Sequence, residues 1–215
     1  VTADTSTARP ALCHVFVFGD PDPTPPAGLA ESFRREHPGQ GTANACFCFD
    51  DSYLELLWVT DAAALTAPAI APAGLAARAA WRETGACPFG IALRGDLPVP
   101  GWEWTPPYLP PGLSITVADL SADPRQPFVF RSPGAARPDA WTDGRAGARQ
   151  TAAGLTEVIG LGLALPAGVV PHPDLLALAG AGLLTVETDA PAWRLTLTVA
   201  RADGGAPLRI DLPEP

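Results

Sequence analysis

The chain has 215 residues, 47% of them hydrophobic and only 17% charged, which is enough apolar material for one large domain or two small modules sharing a sheet. Its formal charge of −9, with arginines scattered singly apart from Arg34 and Arg35, provides no basic stripe for nucleic acid and no attraction to an anionic membrane. Neither is an expected partner.

Residues 12–18, LCHVFVF, are β-branched or aromatic at most positions and end at Gly19-Asp20-Pro21, as a strand meeting a turn does. Residues 27–36 carry Leu29 and Phe33 four apart with charges on other faces, which predicts a short amphipathic helix. A short strand near 39–42 and two apolar runs, 43–49 and 53–60, follow; the runs flank the turn Asp50-Asp51-Ser52 at hairpin spacing. This first segment reads β-α-β-β-β.

Residues 73–84 are alanine-rich with Leu75, Arg78 and Trp81 at helical spacing, and Gly85 stands at the expected C-cap. A strand is expected at 88–94. Residues 95–112 hold many prolines together with Trp102, Trp104 and Tyr108, which predicts a packed loop. Short strands are expected at 114–118 and 127–130, and 132–153 reads as a long polar excursion and the most mobile part. From Leu155 a strand to 165, a helix at about 173–179 and runs at 183–188, 193–200 and 208–212 give a second β-α-β-β-β order.

Residues 1–10 are expected to be a flexible N-terminus, with one domain over 11–215. Within it lie module one at about 12–60, a middle segment at about 73–131, and the second βαβββ-like segment at about 154–212. Cys13, Cys46, Cys48 and Cys87 lack CxxC spacing and sit in or beside apolar runs, so four reduced, buried thiols are expected. The opening VTADTSTARP has neither the basic start nor the apolar core of a signal peptide, which predicts a cytoplasmic location.

The period of two places His14, Phe16 and Phe18 on one face of the first strand, opposite Cys13, Val15 and Val17; it groups Tyr53, Glu55, Leu57 and Val59 likewise. A glutamate inside YLELLWV is costly to bury without a partner. If the two strands are neighbours, His14 and Glu55 can bind one divalent ion. Alternatively they bond each other, or Glu55 reaches solvent.

The stretch HPGQGTANACFCFDDSYLELLWV, with His14 before it, resembles the glyoxalase-like domains of the vicinal oxygen chelate superfamily. The matching positions are His14; then His37, Gly41, Thr42 and Asn44; then Tyr53, Leu54, Glu55 and Leu56. CPFGIALRG and QPFVFRSP resemble the second half more weakly. The resemblance implies an α+β fold of paired βαβββ modules forming a half-open mixed-sheet barrel, whose concave face holds a metal or an organic ligand. It implies catalytic roles for His14, Glu55 and His37, and ligand contacts from Asn44, Thr42 and Phe16. Thr42 and Asn44 also suit a turn leading into a strand.

Aligning GLTEV with ALCHV puts Glu157 in the place of His14, so the implied metal set is His14, Glu55 and Glu157, for zinc, iron, manganese or nickel. Aligning PLRID with YLELL puts Arg209 in the place of Glu55, where it would repel a cation and could instead bind a substrate carboxylate or pair with one of these glutamates. The middle segment is the other candidate partner of module one.

Two functions follow from the resemblance. One is a metal-dependent lyase, isomerase or dioxygenase; the other is a metal-free protein that sequesters a small molecule, with Trp102 or Trp104 walling the cavity. Related modules often pair, so a homodimer is the assembly to test. No GxSxG elbow, P-loop or HExxH occurs.

Overall fold

The computed structural model describes residues 9–134 and 136–212. The expected flexible N-terminus lies, through residue 8, outside them.

Eight strands form one open mixed sheet: β1 (Ala11–Phe18), β2 (Phe33–His37), β3 (Thr42–Cys48), β4 (Tyr53–Val59), β5 (Phe89–Arg94), β6 (Gly101–Trp104), β7 (Ile115–Ala118) and β8 (Phe128–Arg131). Their spatial order is β2-β3-β4-β1-β5-β8-β7-β6. Each half therefore places its first strand beside its last, in parallel, and the halves join where β1 runs antiparallel to β5. The middle segment is thus the partner of module one.

The helix expected over 27–36 is absent. Pro25 and Pro26 lead into a single 3-10 turn at Pro26–Gly28, and Phe33–His37 is an edge strand paired with β3. Periodicity from two apolar residues did not distinguish helix from half-buried strand. The strand near 39–42 is instead the β2–β3 turn. There Gly41 adopts φ 80°, and a Cβ would meet the Asp61 carbonyl oxygen at 2.2 Å, so only glycine lets the end of β4 close over this turn.

The alanine-rich stretch forms α2 (Leu75–Ala79) and α3 (Trp81–Thr84), following α1 (Ala62–Leu65), and Gly85 caps α3 in the left-handed conformation. Arg78 is fully buried and donates to the carbonyls of Cys87, Ser121 and Pro124. It fastens the loop that delivers β8.

The last segment has the expected element order, β9 (Leu155–Pro166), α4 (Pro173–Gly180), β10 (Thr185–Ala190), β11 (Arg194–Arg201) and β12 (Leu208–Leu212). Its sheet runs β10-β9-β11-β12, which differs from either half of the large sheet. It covers the back of that sheet, where Val15, Phe47, Leu54, Phe89 and Ile91 share a core with Leu161, Leu163, Leu195 and Leu197. Each such side chain contributes about 1.5–3 kcal/mol when fully buried.

Within the stretch 132–153, expected to be mobile, residues 136–153 form short turns that are held at several points. Gln150 exchanges hydrogen bonds with the Ala30 backbone at 2.9 Å, and Arg149 pairs with Asp50 at 2.6 Å.

Candidate functional site

With one face of the large sheet sealed by the second sheet, the opposite face is left to line a cavity of about 390 Å³. The period of two brings His14 and Phe16 from β1, Tyr53, Glu55 and Leu57 from β4, and Arg35 and His37 from β2 to it. Cys13 joins them, because the β1–β5 register shifts between Leu12 and His14. Strict alternation had placed it on the other face; a bulge reverses that.

His14 and Glu55 converge as expected, with Nε2 and Oε1 3.9 Å apart and both side chains buried. That separation is too long for a hydrogen bond. The imidazole stacks on Tyr53, ring centres 4.4 Å apart, and meets the Phe130 ring edge-on at 5.4 Å; its Nδ1 lies 3.4 Å from Cys13 Sγ. Burial first, then the charge of Arg35, pushes the His14 pKa down to about 3. Burial raises the Glu55 pKa, against opposing effects of Arg35 and the Asn44 amide. The site favours a neutral pair.

His37 is buried, with Nδ1 2.9 Å from Thr42 Oγ1 and Nε2 accepting from Arg35 at 3.1 Å. Burial and Arg35 lower its pKa to about 3, so an imidazole that titrates near neutrality in water stays neutral here. Thr42 also accepts from Gln40 at 2.8 Å. Asn44 is fully buried beside Glu55; its amide favours the charged form of that carboxyl, although neither polar atom meets ideal hydrogen-bond geometry.

Glu157 does not join this group. It lies on β9 in the second sheet, 46% exposed, and pairs with Arg137 at 2.6 Å. Arg209 is likewise outside, 64% exposed on β12 and beside Asp211, along a groove of the second sheet. Both expectations rested on pairing the wrong segment with module one. The second half lines the cavity with Trp104 of β6, Ile115 of β7 and Phe128 and Phe130 of β8. Among the described residues no group of three or more His, Cys, Asp or Glu side chains could hold a metal ion. His14 and Glu55 alone do not fit a resident divalent ion, which takes three protein ligands in the usual catalytic site.

Trp104 lines the cavity but is also core, 6% exposed with Nε1 donating to the Ala69 carbonyl at 2.9 Å. Trp102 packs against it without reaching the cavity lining. Both belong to β6 rather than to a loop; Tyr108, Leu109 and Pro110 supply the loop wall. Trp141 and Arg145, missed in the sequence, also line the cavity. Trp141 packs 5.6 Å from Tyr53, and the Arg145 guanidinium lies 3.8 Å from the centre of the Trp141 ring. An unexplained aromatic inside a polar stretch was the available signal.

Two halves of one strand order are set around a cavity on one open sheet of an α+β chain. The model of the glyoxalase-like domain matches residues 25–97, from the chain before β2 to just past β5, consistent with the vicinal oxygen chelate superfamily. No curated protein matches the chain. The four cysteines are free and buried, and no described helix is long and apolar enough to cross a membrane.

Proposed function

We propose that the chain is a small-molecule binding protein that takes a planar, largely apolar compound into this cavity without a metal ion. The observation that carries the reading is the lining of the second half. Where the first half lines the cavity with His14 and Glu55, the second lines it with Trp104, Ile115, Phe128 and Phe130, so the shared face gains aromatic surface instead of metal ligands. A cavity of about 390 Å³ falls in the range of small-ligand sites. The neutral histidines His14 and His37, with Gln40, give such a ligand a few polar contacts. Four unpaired thiols suit a reducing compartment such as the cytoplasm.

Titration with 2-naphthalenemethanol, followed by calorimetry in excess chelator, tests the reading. One site per chain is expected, with affinity unchanged when the chelator is replaced by zinc, manganese or nickel. Binding that requires an added metal, or no binding at all, would overturn it.

A further inference from the structure

Acidic residues outnumber basic ones by 23 to 14 in this chain, yet the charged side chains lining the cavity are Arg35, Arg145 and Glu55. Arg145 is already engaged, stacked on Trp141 and 3.2 Å from Asp143. Arg35 is not. Among the described residues it meets no carboxylate: its Nη2 donates to His37 Nε2, and its guanidinium lies 5.9 Å from the centre of the Tyr108 ring. A guanidinium has five N–H donors in a planar fork that matches a carboxylate, so most of its donors are open to solvent or to a ligand at the cavity wall. Its charge reaches His14, His37, Glu55 and Tyr108, which places it electrostatically inside the site. The one carboxyl that would oppose an anion, Glu55, is held toward its protonated form by burial.

We propose that the ligand is an aromatic organic anion, its carboxylate or equivalent acidic group accepting hydrogen bonds from Arg35 while its ring system lies against Phe16, Phe128 and Phe130. The three rings form a continuous surface, with centres 5.5–6.4 Å apart. A flat ligand body offers the offset and edge contacts that aromatic rings favour. The inference rests on the small-molecule reading above and adds the charge of the ligand. A cationic ligand is the competing case, and it would need Glu55 ionised while facing Arg35.

The test uses three probes with one ring system and different charge: 2-naphthoate, 2-naphthalenemethanol and 2-naphthylmethylammonium. The expected affinity order is anion, then alcohol, then cation. Arg35→Gln should weaken naphthoate about tenfold, the worth of one charge-assisted hydrogen bond, and leave the alcohol within about twofold. Arg35→Lys, which keeps the charge but loses the fork, should fall between. Arg35 is an exposed edge-strand residue, so neither variant threatens folding, and circular dichroism checks this. The cation binding most tightly, or Arg35→Gln weakening all three probes alike, overturns the anion assignment while the binding reading stands. If none of the three binds, both fall.

Discussion

The two halves of the large sheet share a strand order and face one cavity, but they line it with opposite chemistry. The first half lines it with His14, Arg35, His37 and Glu55; the second lines it with Trp104, Ile115, Phe128 and Phe130. The backbone frame is therefore indifferent to the chemistry it carries, and the residue choice within each half sets what the cavity can hold. Gly90 shows how finely the apolar half is fitted. A Cβ there would lie 2.0 Å from the Phe16 ring, so glycine on β5 allows the ring from β1 to lie flat across the join.

The largest expected effect falls in the apolar half. Trp104→Ala should cost about 3–5 kcal/mol of folding free energy in urea denaturation, the usual cost of emptying a large buried aromatic site. Trp102→Ala, on the partly exposed neighbour, should cost about 1 kcal/mol or less. Equal costs would show that Trp104 is only a wall of the cavity.

The polar half should reveal itself through pH. His14 and His37 have folded pKa values of about 3 against an ordinary 6.5, so the stability tied to their neutral forms is present above about pH 6.5 and is lost as pH falls toward 3. The slope is up to about 1.4 kcal/mol per pH unit for each histidine. Glu55, with its folded pKa raised, acts in the opposite sense: its contribution is fullest at acid pH and declines as pH rises through its folded value. His37→Gln should flatten the acid limb, and Glu55→Gln should gain on the parent protein as pH rises. Denaturation midpoints between pH 4 and 8, a range set by these windows, check both; parallel curves for all three proteins would contradict the neutral-pair account.

The polar half was the more legible one in the sequence. His14 and Glu55 follow from strand alternation plus the cost of burying a glutamate, and the structure brings them together. The apolar half was obscured because apolar and aromatic residues on short strands look like ordinary core. A later segment with the same element order, residues 154–212, drew the comparison toward Glu157 and Arg209 instead. Element order is local and readable, whereas strand order depends on pairings distant in sequence. The Cys13 bulge and the strand at Phe33–His37 were missed for the same reason. A register shift is set by the partner strand, and edge pairing outweighed the weak helical pattern of residues 27–36.

The claim that one half of the cavity lacks metal ligands by construction is tested most directly by titrating zinc into the wild-type protein and into Glu55→Gln and His14→Gln variants, with 2-naphthoate bound and free. The account predicts no saturable zinc site that either substitution abolishes, and naphthoate binding that is the same with zinc or with chelator. A stoichiometric zinc site lost in both variants, with naphthoate affinity rising when the metal is present, would contradict it.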